Sequence, residues 1–346
     1  MSFPVHVALV GYGYAGKTFH APLIAAAPGL ILHTIVSGGE AAAADWPDCR
    51  VCPDYETALA DPEIELIVLA TPNTLHFEQA EAALLAGKHV VVDKPFTVNL
   101  YQARALARLQ GACSRLVSVF HNRRWDADFL ALRELLASGR LGRLSHFESH
   151  FDRFRPEPRA RWREQNLPGS GLWYDLGSHL LDQALQLFGL PEALQATLAK
   201  QRAGAQATDY FHVQLFYPGF HAVLHGSCLV SGGNPRFSLH GDRASYLKFG
   251  LDAQEGALKR GARPGGEGWG VDPVPGQLLF ADGEQVLAEN QPPARGDYRE
   301  YYQRMAAAVR GRGPVPVSVD EALQVMTLLE LAEQSAEQGR RLPTRA

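Results

Sequence analysis

The chain has 346 residues, a length that suits about two domains. Hydrophobic residues make up 46% and charged residues 20%, which supplies buried cores and excludes a disordered chain. The formal net charge of -4, from 33 Lys and Arg against 37 Asp and Glu, lacks the basic surplus of a nucleic-acid-binding protein. Four cysteines (Cys49, Cys52, Cys113, Cys228) are too few for a disulfide scaffold and fit a reducing compartment. With no basic start leading into an apolar run, and no stretch of about 18 apolar residues, a cytoplasmic chain with no membrane partner is expected.

Residues 5–10 read as a short buried strand followed by a glycine-rich turn. Residues 30–36, 64–70, 89–92 and 116–120 read as further strands. Helices are predicted over 15–27, 75–86 and 100–109, the last with Asn99 as N-cap. Continuously apolar strands alternating with helices predict an α/β domain, a doubly wound parallel sheet, over residues 1–121.

The pattern then changes. Residues 126–138 and 171–188 read as helices, and 146–152 as a strand with two distinct faces. Strands over 209–217, 221–227, 236–240 and 245–249 follow one another through short turns. Residues 261–276 are dense in Gly and Pro and read as a surface loop, and two helices close the chain over 297–310 and 319–338. This predicts an α+β domain with a mostly antiparallel sheet over residues 122–346.

Gly11-Tyr12-Gly13-Tyr14-Ala15-Gly16 is a G-x-G-x-x-G between a strand and a helix. In that context the glycines permit a tight turn, close approach to a pyrophosphate and close helix–strand packing, so a dinucleotide site is favoured over an ordinary βα turn. An NAD site would carry Asp or Glu about 20 residues on, to bind the ribose 2′-hydroxyl. Ser37-Gly38-Gly39 stands there instead. The missing carboxylate favours NADP. NAD stays open, with Glu40 reaching the ribose.

Asp93-Lys94-Pro95 directly follows a strand, at the end of the sheet where ligands of such folds bind. Lys94 would project into the cofactor crevice, or be an exposed lysine in a turn. Asp175 and His179 are four residues apart and share one face of a predicted helix. That spacing suits an acid–base imidazole with a carboxylate partner, or a plain helical pair. A metal reading lacks a third ligand, and no metal is expected.

These motifs occur, with Thr71-Pro72-Asn73 and His76, in the order seen in the glucose–fructose oxidoreductase/inositol dehydrogenase (Gfo/Idh/MocA) family, which the whole chain resembles. The runs Phe120-His121-Asn122-Arg123-Arg124-Trp125-Asp126 and Phe151-Asp152-Arg153-Phe154-Arg155-Pro156, with Arg161-Trp162-Arg163, resemble the branch holding NADP-dependent scyllo-inositol dehydrogenases. The family usually has Glu where this chain has Asp93. The resemblance implies a Rossmann domain, a C-terminal domain with a large open sheet, and homodimers or homotetramers formed through that sheet. It also implies reversible oxidation of a secondary alcohol on a cyclitol or sugar, with scyllo-inositol as the leading candidate. Lys94 matches the catalytic lysine, His179 the acid–base histidine and Asp175 the motif aspartate.

The cofactor is expected on Gly11, Tyr12, Gly13, Tyr14, Ala15, Gly16, Ser37, Thr71, Pro72, Asn73, His76, Asp93 and Lys94. The substrate is expected on Lys94, Asn122, Arg124, Trp125, Arg153, Trp162, Asp175 and His179. The chemistry suits these residue types: hydride leaves a carbinol carbon only as the hydroxyl proton is removed, and a lysine beside the oxygen stabilises alkoxide character. The arginines equally suit salt bridges or an anionic substrate such as a sugar acid. The alternatives are another aldose or keto-sugar on the same fold, and a non-catalytic dinucleotide-binding sensor. Cys49-Arg50-Val51-Cys52 reads as ordinary cysteines, and Tyr298, Tyr301, Tyr302, Met305 and Val309 as a core or subunit face.

Overall fold

The computed structural model describes residues 3–292 and 294–345. β1 (Val5–Val10) is apolar on both faces and buried except at His6, as a central strand of a covered parallel sheet must be. The sequence predicts one helix after it. The structure instead has a π-helical turn (Gly16–His20) running into α1 (Ala21–Ala26). Pro22, near the start of α1, offers no N–H to a regular ladder. β2 (Leu30–Val36) follows. Three short elements that the sequence does not announce come next: α2 (Ala41–Asp45), β3 (Arg50–Cys52) and α3 (Tyr55–Ala60). Asp54 caps α3 by accepting from Thr57 N at 2.8 Å.

β4 (Leu66–Leu69), α4 (His76–Leu85), β5 (His89–Val92), α5 (Leu100–Cys113) and β6 (Val117–Val119) complete this part. Asn99 caps α5, accepting from Gln102 N at 2.9 Å. The six strands pair in parallel in the order β3-β2-β1-β4-β5-β6, the doubly wound arrangement in which the chain reverses direction beside β1.

A 3-10 turn (Asn122–Trp125) leads to α6 (Ala127–Ala137) and β7 (Leu144–His150). A second π-helical turn (Trp173–Gly177) opens α7 (Ser178–Phe188) where the sequence predicts uninterrupted helix. β8 (Ala193–Ala199), β9 (Tyr210–Tyr217), β10 (Phe220–Ser227), β11 (Phe237–Gly241) and β12 (Ser245–Lys248) follow, then α8 (Gln254–Lys259). The hairpin of β13 (Gly276–Asp282) and β14 (Gln285–Gln291) precedes α9 (Arg299–Val309), α10 (Val319–Gln338) and the short β15 (Leu342–Pro343). The nine strands from β7 onward form one sheet, ordered β14-β13-β12-β11-β7-β10-β9-β8-β15, antiparallel throughout except for the β7–β10 pair.

Contacts divide the chain into two units. The first comprises the chain through Trp125, Gln254–Trp269 and Asp297–Leu323. The second comprises Asp126–Ala253, Gly270–Gly296 and the chain from Gln324. The first unit therefore reclaims α8 and α9 from beyond the 121/122 division read in the sequence. Tyr298, at the N-cap of α9, and Tyr301, Tyr302 and Met305 on it are all fully buried. Tyr301 donates to Ser118 Oγ at 2.8 Å, and its ring meets Phe120 edge-on. This aromatic face is core.

In the second unit, alternation puts Phe147, Phe211, Val213, Leu215, Phe237 and Leu239 on the buried face of the nine-stranded sheet. Its other face is polar and rich in histidine. Among the described residues, no helix is long and apolar enough to cross a membrane.

Candidate active site

In the first unit the glycine turn is built by exclusion. Gly11 has φ +95°, and a Cβ there would lie 2.8 Å from Ala70 O. A Cβ on Gly16 would lie 2.1 Å from Gly11 O, while one on Gly13 would meet nothing within 4 Å. Two glycines thus let the turn close against β4 and the following helix, and the third leaves backbone open to a ligand. The arrangement fits a dinucleotide pyrophosphate. Tyr12 and Tyr14 turn their hydroxyls to protein partners. Tyr12 donates to Asp45 Oδ2 at 2.9 Å and accepts from Trp46 Nε1 at 2.8 Å, while Tyr14 donates to Glu255 at 3.1 Å. Burial, with help from Asp45, pushes the Tyr12 hydroxyl up to about 12.

An open groove of about 470 Å³ runs along the carboxyl ends of these strands. It brings Gly11, Tyr12, Gly13, Ser37 and Thr71 together, and adds Pro53, Tyr55 and Gln79. Sequence reasoning missed these last three. Thr71 Oγ1 donates to Gln79 Oε1 and Tyr55 to Gln79 O, both at 2.6 Å, so Gln79 ties two walls of the groove. Only its position one turn beyond His76 on α4 hints at this role. Ser37 Oγ accepts from Gly39 N at 3.3 Å.

Lys94 is only 9% exposed, which removes the reading of a solvated turn lysine. The Lys94–Pro95 peptide is cis. Asp93 Oδ1 accepts from Lys94 N at 2.8 Å and lies 3.8 Å from His20 Nε2. His76 is fully buried, with Nδ1 3.0 Å from Pro95 O and Nε2 3.1 Å from Thr71 O. Burial pushes its pKa down, against the opposing pull of Asp93 and the carbonyls of Pro95 and Thr71. Asn73, in the intervening 3-10 turn, is buried, and Pro72 is exposed.

The run Asn122–Trp125 is buried as well. Arg123 pairs with Glu255 at 2.6 Å and Arg124 with Glu321 at 2.7 Å. The Trp125 ring meets Tyr301 edge-on at 5.8 Å, with the Arg304 guanidinium 5.6 Å away.

In the second unit, Asp175 lies in the π-helical turn and His179, buried, is the second residue of α7. A π turn is wider than an α turn, so Asp175 stands in a different helical register from His179. The Asp175 carboxylate lies 3.8 Å from Arg163 Nε and 3.9 Å from Arg153 Nη1. Both line a small cavity of about 20 Å³, with Arg155, Arg161 and Arg202. Glu164 accepts from Arg161 at 2.7 Å and from Arg202 at 3.0 Å, and Asp209 accepts from Arg202 at 2.9 Å. Burial, then Arg153, Arg159 and Arg161, push the Arg155 pKa down, as an excess of like charge would. Trp162 lies in a 3-10 turn with the Arg163 guanidinium 4.6 Å from its ring.

A parallel sheet of this order, with a glycine turn after its first strand, is a Rossmann architecture, and the family match makes the chain an oxidoreductase with an NAD-binding domain of that kind. Residues 5–121 match the family model described as "Oxidoreductase family, NAD-binding Rossmann fold", and residues 133–344 match that of the C-terminal alpha/beta domain. The chain belongs to the Gfo/Idh/MocA oxidoreductase family. It is 53% identical over 337 residues to the uncharacterized oxidoreductase YdgJ of Escherichia coli, covering 97% of each chain. It is 38% identical over 340 residues to the scyllo-inositol 2-dehydrogenase (NADP(+)) IolW of Bacillus subtilis, covering 97% of this chain and 95% of that one. Among solved structures, the YPO2259 protein of Yersinia pestis superposes with a TM-score of 0.96 at 49% identity, over 100% of this chain and 99% of that one.

Proposed function

We propose that this oxidoreductase reversibly transfers hydride between a secondary alcohol of a cyclitol or sugar and a nicotinamide cofactor. NADP is the favoured cofactor and scyllo-inositol the leading substrate. The observation that carries the reading is the buried Lys94, held by its backbone at the carboxyl end of β5. The relative named as an NADP-dependent scyllo-inositol dehydrogenase supports the substrate and the cofactor. Ser37, in the groove where an NAD site would carry an acid, supports NADP independently.

The bound nicotinamide would supply the hydride acceptor or donor. Gly11, Gly13 and Gly16, with the backbone of Tyr12, Tyr14 and Ala15, would hold the pyrophosphate, and Ser37 the ribose end. His76 acts through the protein: it fastens the Thr71–Asn73 loop to the Asp93–Pro95 turn. His179 takes the hydroxyl proton. Lys94 Nζ donates a hydrogen bond to the same oxygen as it gains negative charge. Asp175, flanked by Arg153 and Arg163, binds a substrate hydroxyl. Trp162 offers an apolar face, and Asn122, Arg124 and Trp125 belong to the substrate-binding set that the family resemblance implies. A homodimer or homotetramer formed through the nine-stranded sheet, in the cytoplasm, belongs to the same reading.

A second substrate reading is an anionic sugar, such as a sugar acid. It is favoured by Arg153 and Arg163, which face the Asp175 carboxylate, and by Arg155 in the same cavity lining, while Glu164 and Asp209 engage Arg161 and Arg202. The test is NADP(H) absorbance across inositols, aldoses, keto-sugars and aldonic acids. Turnover of a neutral cyclitol is expected. Turnover of acids alone selects the second reading, and no turnover of any compound selects a dinucleotide-binding sensor.

A further inference from the structure

The polar face of the nine-stranded sheet carries a row of three histidines on neighbouring strands. His225 on β10 stands opposite His150 on the parallel strand β7 and opposite His212 on the antiparallel strand β9. The His150 and His225 rings lie 5.0 Å apart, and those of His212 and His225 6.0 Å apart. Asp152, two residues beyond His150, sets its carboxylate among them. Its Oδ1 lies 3.0 Å from His225 Nδ1, and its Oδ2 3.4 Å from His150 Nδ1.

We propose that His150, Asp152 and His225 form a binding site for a divalent transition-metal ion of the zinc type. One ligand atom from each lies within 4.8 Å of the other two. Ligands of a tetrahedral zinc ion are separated by roughly 3.3 Å, given metal–ligand distances of about 2.0–2.1 Å. The two carboxylate–imidazole separations already bracket that value, so the side chains need only small shifts. Two imidazoles and a carboxylate select zinc, cobalt or nickel over calcium or magnesium, which prefer oxygen.

The surroundings hold these donors in place. Glu148 Oε2 lies 2.8 Å from His150 Nε2; taking that N–H turns the Nδ1 lone pair toward the cluster, as in carboxylate–histidine–metal triads. Ser227 N donates to Asp152 Oδ1 at 3.0 Å, and Asn234 Nδ2 to Oδ2 at 2.7 Å, which orients the carboxylate. In the single chain the side chains of His150, Asp152 and His225 are 13%, 4% and 14% exposed, so the donors are largely shielded from water. The ion would replace the protons now shared between the imidazoles and Asp152, and release them to solvent. All three ligands come from one chain, so the site needs no second copy.

A second cluster, His6, His33 and Glu63, is less suited, since the Glu63 side chain is 67% exposed and its charge is readily hydrated. The Cys49 thiol is held up near 11 by burial, which disfavours the thiolate a metal needs. Both groups serve as controls.

The test uses the untagged full chain, stripped with chelator and titrated with Zn²⁺ against a chromophoric competitor, and with Co²⁺ by visible absorption. About one ion per chain is expected, with a cobalt spectrum of nitrogen and oxygen ligands. His225→Ala and His150→Ala should abolish that binding, and Glu148→Gln should weaken it about tenfold while leaving the ligands in place. His6→Ala and Cys49→Ser should change nothing. Circular dichroism checks the fold of each variant, and Glu148→Gln carries the test if a ligand variant does not fold. Absence of saturable Zn²⁺ binding overturns the proposal. So does binding that survives the ligand variants, or that is lost with His6→Ala or Cys49→Ser.

Discussion

His76 Nδ1 lies 3.0 Å from the carbonyl oxygen of Pro95, and this contact fastens the loop after β4 to the turn that carries Lys94. The fully buried ring also reaches Thr71 O, so one side chain spans the loop after β4 and the Asp93–Pro95 turn. His76→Ala should therefore lower kcat by about tenfold or more while leaving NADP affinity within a few fold, because the loss is of positioning rather than of a cofactor contact. Steady-state kinetics beside a cofactor-binding titration separate the two. Unchanged kcat would remove the positioning role.

Cofactor choice should turn on Ser37. Ser37→Asp places a carboxylate where a 2′-phosphate would sit, and the repulsion should raise KM for NADP by about tenfold or more while KM for NAD falls. Initial rates with each cofactor decide it. Equal effects on both would place the adenosine end elsewhere.

The arginines should divide by function. Arg124→Ala breaks the Arg124–Glu321 pair, whose side chains are 7% and 33% exposed, and should cost about 3 kcal/mol of stability. Arg153→Ala removes a guanidinium 3.9 Å from Asp175 and should raise substrate KM severalfold with little change in melting temperature. Urea unfolding and kinetics on both variants check this; the reverse pattern would exchange their roles.

Acid stability should depend on Glu255. Burial raises its pKa, but Arg123 and Lys259 outweigh that and hold it at about 2, below the usual 4.5. A depressed carboxylate contributes stability above its unfolded pKa and loses it as pH falls through the folded one. The contribution, about 3 kcal/mol at neutral pH, should fade between pH 4.5 and 2. Denaturant titrations of wild type and Glu255→Gln across that window should converge as pH falls. A constant difference would assign the effect to packing.

The sheet of the first unit was legible because its strands are continuously apolar and Asn99 is an ordinary cap. α2, β3 and α3 were not, since elements of three to six residues are too short to show a period. β14 is exposed along almost its whole length, and so has no apolar alternation to read. The π-helical turn at Asp175 is a change of hydrogen-bond register, which residue spacing does not encode. The partners of Arg123 and Arg124 lie 132 and 197 residues away in the chain. His150 and His225 meet only through the parallel register of β7 and β10. Lys94 was legible as a motif, and the structure added its burial.

The central claim is hydride transfer to or from a polyol, with Lys94 and His179 handling the alcohol proton. It is tested most directly by measuring NADP reduction with scyllo-inositol for wild type, Lys94→Ala and His179→Ala, alongside NADP binding to each. Turnover by the wild type, loss of at least about a hundredfold in kcat in both variants, and NADP binding retained in all three are expected. Full activity in either variant would contradict the claim.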